Sequence, residues 1–238
     1  MKLHALMHLP GILLLVFSVI SCAGVAESAP SVGDTVTMGA YAGEPVTWRV
    51  LAEDGDKRLL ISEYGLETKP YNNRTRNVTW AASTLRAWLN GKFLEESFSK
   101  EERMRIVRRK IHTPDPDRES SDAYGGEDSL DSVFLLSIDE AEMHFVSDTD
   151  RAAKPTNHAL RNGAETFTAF DAGDLDDADD PEEYAEYTGN CFWWLRTPGS
   201  SQDRAAIVSG DGEVDVLGWP ADTDCFCVRP VIWVNGEP

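Results

Sequence analysis

Apolar and polar residues alternate near both ends of the chain, a pattern typical of β-strands with one buried face. The first predicted strands cover residues 35–40, 45–52 and 58–62. Asp54-Gly55 lies between the last two of these and predicts a tight hairpin turn. The later predicted strands cover residues 191–196, 205–209, 213–217 and 227–234, with a turn at Gly210-Asp211-Gly212 between the middle two. The folded part of the chain is therefore expected to begin and end in β-structure.

Between these two regions the hydrophobic spacing changes to that of helices. Residues 81–89 place apolar side chains at helical spacing, and Gly91 follows where a helix C-cap is expected. Ser-x-x-Glu sequences begin at Ser99 and at Ser137, and each is a capping-box pattern. They predict helices that run to about residue 109 and about residue 146.

The remaining middle segments complete the predicted fold class. Residues 113–132 are rich in Pro, Asp, Ser and Gly, which predicts a long surface loop, and residues 133–137 predict a buried strand. Strands at both ends with two to three helices between them indicate an α+β domain with an antiparallel sheet. Its terminal strands are expected to pair with each other.

The N-terminus has the pattern of an export signal. Lys2 is the only charged residue among residues 1–21, and the apolar run 11–20 is too short to span a bilayer, which takes about 20 residues. The run ends in Val19-Ile20-Ser21-Cys22, which resembles the lipobox of bacterial lipoproteins. It predicts a signal peptide over 1–21, acylation of Cys22, a tether over 22–31 and one domain over 32–238. The alternative is an ordinary secretory signal that is cleaved nearby.

The net charge and the charged segments of the chain limit the kinds of ligand that it is expected to bind. The chain has 238 residues with 41 acidic against 22 basic side chains, and a formal net charge of −19 argues against general affinity for nucleic acid. Five cations lie within residues 103–110, where a solvated helix face is the favoured interpretation. Nine acids lie within residues 171–186. Asp174, Asp176 and Asp179 of this segment are candidates for a weak Ca²⁺ site, and a solvated loop is the alternative.

The cysteines fit an exported protein. An oxidising compartment allows Cys191 to form a disulfide with either Cys225 or Cys227, which leaves one thiol over. The same three residues could instead serve an oxidoreductase or a soft-metal enzyme. The usual signatures of nucleotide-binding enzymes, zinc proteases and serine hydrolases are missing from the sequence. No cofactor other than the weak calcium is predicted.

Trp193 and Trp194 are the most unusual local feature. Neighbours in a strand face opposite sides, so one tryptophan is expected in the core and the other against a second layer or solvent. A solvent-facing tryptophan beside Arg196 and the turn that carries Asp203 and Arg204 would make a stacking platform for a sugar or a peptide. The alternative is that both tryptophans are structural.

An ordered set of motifs resembles a bacterial extracellular domain of unknown function that is common in lipoproteins. The most specific of them are Leu85-Arg-x-Trp-Leu-Asn90, Trp193-Trp-Leu-Arg-Thr-Pro-Gly199 and Val228-Arg-Pro-Val-Ile-Trp233. The domain is similar in layout to the C-type-lectin-like fold, in the variant shared by formylglycine-generating enzymes. That resemblance implies paired terminal strands and an arginine in the closing strand, here Arg229. It carries no catalysis over, because the surroundings of Cys225 and Cys227 do not match.

Two hypotheses about function follow. The favoured one is a lipoprotein on a bacterial membrane, facing the periplasm or the cell surface, that binds a glycan, a peptide or a protein and has no catalysis of its own. The alternative is an oxidoreductase or metalloenzyme that uses Cys191, Cys225 and Cys227. A reactive thiol of low pKa would favour the alternative.

Overall fold

The computed structural model describes residues 29–117, 121–168 and 185–236. The predicted signal peptide, Cys22 and the three calcium candidates lie outside these ranges. The strands are β1 (Thr35–Tyr41), β2 (Glu44–Asp54), β3 (Lys57–Ser62), β4 (Glu67–Thr68), β5 (Arg109–Ile111), β6 (Ser129–Asp131), β7 (Val133–Phe134), β8 (Trp193–Pro198), β9 (Arg204–Val208), β10 (Val214–Pro220), β11 (Cys227–Val228) and β12 (Val231–Asn235). The α-helices are α1 (Thr84–Trp88), α2 (Leu94–Ser97), α3 (Lys100–Arg105), α4 (Ile138–His144), α5 (Asp148–Arg151) and α6 (Asn157–Arg161). Among the described ranges, none of the helices has the length and apolar character needed to cross a bilayer.

The first sheet has the order β1-β2-β3-β12-β7, and its neighbours all run antiparallel. The predicted hairpin at Asp54-Gly55 is confirmed, since Asp54 pairs with Lys57 across the turn. β2 carries one extra residue, Leu51, between the pairs that Val50 and Ala52 make with β3, so Val50 and Leu51 are both buried.

The second sheet has the order β10-β9-β8-β11-β4. Its only parallel pair among the described strands joins β8 to β11, where Cys227 lies opposite Trp193. The predicted turn at Gly210–Gly212 is confirmed between β9 and β10. Buried side chains from both five-stranded sheets form one continuous core. The described chain is thus a mixed α+β structure with mostly antiparallel sheets and short helices.

The predicted closing strand over 227–234 is divided in two at Arg229-Pro230. β11 belongs to the second sheet and β12 to the first, so the chain crosses between the sheets at Arg229. The last strand does join the N-terminal strands, but β12 lies beside β3, and β1 lies at the sheet edge next to β2. The predicted pairing between strands from the two ends of the domain is therefore seen for β3 and β12, while the first strand, β1, pairs only with β2.

The helical region departs from the prediction at two places. Gly91 is no C-cap, because a π-helical segment over Leu89–Phe93 continues α1 into α2. Both capping boxes are confirmed, but α3 ends at Arg105 rather than near residue 109. The chain leaves the helix there because Ile106 forms a β-bridge to Val234 and the Val107 amide donates to the Trp233 carbonyl.

The predicted surface loop over 113–132 also contains β-structure. β5 and β6 form a two-stranded sheet of their own, in which Arg109 pairs with Asp131. Asp131 is fully buried and accepts hydrogen bonds from Trp80 and Arg86, at 2.9 and 2.7 Å. Part of the segment is therefore built into the core.

Arg229 is buried at the crossing between the sheets, with only 1% of its surface exposed. Its guanidinium donates to the carbonyls of Ser62, Arg151 and Glu63, and it lies 4.7 Å from the centre of the Trp193 ring. Burial lowers its pKa to about 10, so the group is still charged at pH 7. One side chain thus connects β3, α5 and β8.

We expect Arg229→Met to lower the free energy of unfolding by about 2–4 kcal/mol, because several buried carbonyls lose their donor. Urea denaturation at pH 7 measures this loss. Arg108→Met is the matched control, because Arg108 is exposed and its one hydrogen bond is long, at 3.4 Å. Equal stability of the two variants would contradict the role given to Arg229.

Candidate functional site

The predicted stacking platform is not exposed. Trp193 and Trp194 are both 0% exposed, so the expectation of a solvent-facing tryptophan is wrong. β8 lies inside its sheet with packed layers on both faces: Trp193 contacts Phe145 and Arg229, while Trp194 contacts Tyr71 and Phe226. Both tryptophans are part of the core.

Arg196 is buried as well. It donates to both carboxylate oxygens of Glu140, to the carbonyl of Leu135 and to the carbonyl of His112. These bonds tie β8 to the start of α4 and to the segment after β5. Its polar atoms are therefore occupied in holding the fold.

Asp203, in the turn before β9, and Arg204, the first residue of β9, are both half-buried. Asp203 accepts a hydrogen bond from Ser201, and Arg204 donates to the carbonyl of Gly218 at 2.6 Å. The structure does not bring them together with an exposed tryptophan at positions 193–194, and their binding role stays a prediction. Asp174, Asp176 and Asp179 lie outside the described residues.

A cleft of about 410 Å³ lies between the β1–β2 turn and α6. Its walls come from two sides: Tyr41 and residues 44–47 from the hairpin, and residues 155–158 with Arg161 from the helix. Tyr64 and Leu66 complete the lining from the segment after β3. We call this the Tyr41–His158 cleft.

The helix side of the cleft is positioned by backbone pairing. The Thr156 amide donates to the carbonyl of Gly65, and the Gly65 amide donates to the carbonyl of Lys154, at 2.8 and 3.0 Å. Thr156 is then the N-cap of α6, and its hydroxyl accepts a hydrogen bond from the Ala159 amide. This pairing places His158 opposite the hairpin.

A buried carboxylate connects the two walls. Glu67 is 7% exposed. Its carboxylate accepts hydrogen bonds from the Tyr41 hydroxyl at 2.7 Å and from the side-chain amide (Nδ2) of Asn162 at 2.8 Å. His158 Nε2 lies 3.1 Å from the same carboxylate and 2.9 Å from the Asn162 amide. The Tyr41 and His158 rings meet edge to face, with centres 5.5 Å apart. The network fixes side chains on both sides of the cleft.

The network shifts the acidity of its members. Burial raises the pKa of Glu67, but the hydrogen bonds from Tyr41, Asn162 and His158 outweigh it, so the pKa lies below its usual value of 4.5. Burial, together with the hydrogen bond to Glu67, raises the pKa of Tyr41 well above its usual value. At neutral pH the carboxylate is charged and the phenol keeps its proton as the donor.

The cleft lies at the far end of the first sheet from the start of the described chain. Pro30 accepts a hydrogen bond from Arg58 next to the β2–β3 turn, whereas Tyr41 and Glu44 form the opposite turn of the β1–β2 hairpin. Seven strand residues separate the two ends, which corresponds to about 20 Å.

The cysteines lie behind the cleft. All three cysteines in the described ranges are free thiols, so the predicted disulfide is not formed in this structure. A Cβ atom added to Gly65 would lie 2.7 Å from Cys227 Sγ and 2.8 Å from Cys191 Sγ. Both sulfur atoms therefore pack against the backbone at Gly65. Cys225 points elsewhere and donates to Glu165 at 2.9 Å. Within the described residues, no three His, Cys, Asp or Glu side chains cluster in a way that could hold a metal.

Sequence reasoning missed the Tyr41–Glu67–His158 network. The three residues come from β1, β4 and α6, and local spacing does not predict contacts over such distances along the chain. The one local signal is the i,i+4 spacing of His158 and Asn162, which places both side chains on one helix face.

Tyr41→Phe tests the network through its pH dependence. We expect a loss of about 1–3 kcal/mol in unfolding free energy at pH 7, because Glu67 loses a charge-assisted hydrogen bond. The folded pKa of Glu67 is lowered, so this stabilisation is complete above its unfolded value of 4.5 and disappears as the pH falls through the folded value. Urea denaturation at pH 7 and at pH 3 measures the difference.

Tyr64→Phe is the matched control, since Tyr64 lines the same cleft and is 44% exposed. It should change stability little at either pH. A Tyr41→Phe loss that is the same at both pH values would contradict the proposed hydrogen bond to a charged Glu67.

Comparison with known proteins gives a family and no activity. The family model described as "Domain of unknown function (DUF6273)" matches residues 55–236. No curated protein and no solved structure matches the chain. The match begins after β2, so the β1–β2 hairpin that carries Tyr41 precedes the matched region. The match covers more than half of the chain, and the chain therefore belongs to the DUF6273 family, a domain family of unknown function.

Proposed function

We propose that this chain is an exported, lipid-anchored binding module that holds a glycan, a peptide or a protein segment in the Tyr41–His158 cleft and has no catalysis of its own. The observation that carries the proposal is the Tyr41–Glu67–His158 network. It fixes polar side chains on both walls of an open cleft before any ligand arrives, which lowers the entropic cost of binding.

The lining of the cleft suits a ligand with an apolar face and hydrogen-bonding groups. Tyr64, Pro45 and Pro155 supply apolar surface, while Thr47 and Asn157 supply donors and acceptors. A sugar ring or an extended peptide presents both kinds of surface. A strongly anionic ligand is disfavoured at this cleft, because Glu44 belongs to its lining.

The position of the cleft supports anchoring at the N-terminus. An acyl group on Cys22 would hold the protein through the tether over 22–31, and the described chain starts at the opposite end of the first sheet from the cleft. The cleft would then face away from the membrane. The multiple acyl chains of a mature lipoprotein give stable anchoring, where a single chain gives only marginal binding.

The thiols favour binding over cysteine chemistry. Burial, the hydrogen bond to Glu165 and that carboxylate's charge raise the pKa of Cys225 to about 12. The hydrogen bond between the thiols of Cys227 and Cys191, followed by burial, raises the pKa of Cys227 well above its usual value. Nucleophilic cysteines need a lowered pKa, and neither of these residues has one.

The fold proposal is the C-type-lectin-like layout in the variant of the formylglycine-generating enzymes. Three features support it: β12 joins the N-terminal strands in one sheet, the helices are few and short, and Arg229 lies beside the closing strand. No activity is transferred from that layout.

A glycan array and a peptide array probed with the Cys22→Ser chain, which cannot be acylated, test the cleft. We expect His158→Ala to weaken binding to the best array ligand at least tenfold, because the helix wall loses a ligand contact and its bond to Glu67. His144→Ala is the matched control, since His144 is a half-buried histidine on α4, outside the cleft. A ligand that both variants bind equally well would place the site elsewhere.

The positions of the three cysteines favour Cys227 over Cys225 as the disulfide partner of Cys191. In an oxidising compartment we expect Cys191 to bond to Cys227, since both sulfurs lie behind Gly65, and Cys225 to stay free beside Glu165. Closing a loop of about 35 residues contributes about 3–4 kcal/mol. Mass spectrometry of non-reduced, alkylated protein from its host should find the Cys191–Cys227 peptide pair and alkylated Cys225. A bridge through Cys225, or three alkylated thiols, would contradict this pairing.

A further inference from the structure

A second depression lies on the other side of Trp88 from Tyr41. It consists of two adjoining hollows of about 360 and 140 Å³, which share Asn73 and Thr84 in their linings. We call it the basic groove and define it by Lys69, Asn72, Asn73, Arg74, Arg76 and Trp88. None of these residues lines the Tyr41–His158 cleft.

The cations of the groove are not neutralised by the described part of the chain. Arg74 and Arg76 are exposed, and neither guanidinium forms an ion pair or a hydrogen bond with a described residue. Lys69 Nζ lies 4.8 Å from the centre of the Trp88 ring and has no carboxylate partner among the described residues. Asp222 bonds to the same loop through the Thr75 hydroxyl. Two cations thus line the larger hollow and one lines the smaller, in a chain with a formal charge of −19.

A buried side chain whose acceptor has no partner among the described residues belongs to the lining of the larger hollow. Asn72 is 1% exposed, and its Nδ2 donates to the carbonyl of Arg74 at 2.8 Å, which fixes the orientation of the amide. Its Oδ1 is buried and has no hydrogen-bond partner among the described residues. A buried acceptor left unpaired costs about 1–3 kcal/mol, so a donor that reaches it is stabilising.

The loop that carries the arginines is held at both ends. The Asn72 amide donates to the carbonyl of Ala221 at 2.7 Å, and the Val78 amide donates to the carbonyl of Gln202 at 2.9 Å. The Asn73 amide donates to the Thr84 hydroxyl at 2.9 Å. A ligand therefore meets a backbone that is already ordered.

We propose that the basic groove binds carboxylated sugar units of an acidic oligosaccharide. Arginine pairs with carboxylate through two parallel hydrogen bonds, which suits Arg74 and Arg76. A ring hydroxyl is the donor that the Asn72 Oδ1 lacks, and the methylene chain of Lys69 together with the half-buried Trp88 indole offers apolar area to the sugar ring. An acidic peptide supplies the carboxylates but no ring hydroxyls. A nucleic acid is disfavoured, because it needs a basic surface larger than these three cations provide.

Isothermal titration of the Cys22→Ser chain with two probes tests the proposal: tetragalacturonic acid and a hyaluronan tetrasaccharide. We expect at least one of them to bind, and Arg74→Gln/Arg76→Gln to weaken that binding at least tenfold. Both arginines are exposed, so this variant should unfold at the same temperature as the parent chain. Lys100→Gln/Arg108→Gln is the matched control, which removes the same charge from exposed positions outside the groove.

Two further ligands separate the chemistry. The methyl ester of tetragalacturonic acid, which lacks the charges, and tetraglutamate, which lacks the hydroxyls, should each bind at least tenfold more weakly than the acidic sugar. The proposal is overturned if neither sugar binds, if the control variant loses as much affinity as the groove variant, or if tetraglutamate binds as tightly. His158→Ala should leave this binding unchanged, so failure of the cleft and failure of the groove are distinguishable.

Discussion

The fold depends on placing one guanidinium where the chain passes from one sheet to the other. Arg229 donates to carbonyls from the end of β3 and from α5, and its charged face lies against Trp193 of β8. A buried charge is unfavourable unless its donors are satisfied, so the surrounding segments must converge on it in one arrangement. Arg229 therefore specifies how the two sheets are joined as well as stabilising that junction.

The site follows from this junction. β3 leads through Gly65 to Glu67, and the same stretch pairs with residues 154–156, which come just before α6. Gly65 is packed against two sulfurs, so no side chain fits there and the backbone can approach closely. That close approach brings Glu67 within reach of His158. The polar network of the cleft is thus a consequence of packing between the sheets.

Local signals in the sequence predicted local structure well. The hairpin at Asp54-Gly55 and the capping boxes at Ser99 and Ser137 were predicted correctly. Each of these structures depends only on residues within a few positions along the chain. The sequence left open whether the second of Trp193 and Trp194 meets solvent or another layer, because alternation along a strand does not reveal what covers its second face; both are buried. The contact between Tyr41 and His158 was missed, since it joins segments that only the tertiary fold brings together. The basic loop at Arg74 and Arg76 was likewise not predicted, because only the folded surface shows that these guanidinium groups have no partner among the described residues.

The walls of the Tyr41–His158 cleft have different origins. Glu67 and His158 lie within the region that matches the family, whereas Tyr41 and Pro45 come from the hairpin before it. β1 is an edge strand held mainly by β2, so the β1–β2 turn lies outside the pairing of β3 with β12. A domain that keeps Glu67 and His158 but carries a different edge hairpin would present the same carboxylate–histidine pair beside a cleft of a different shape.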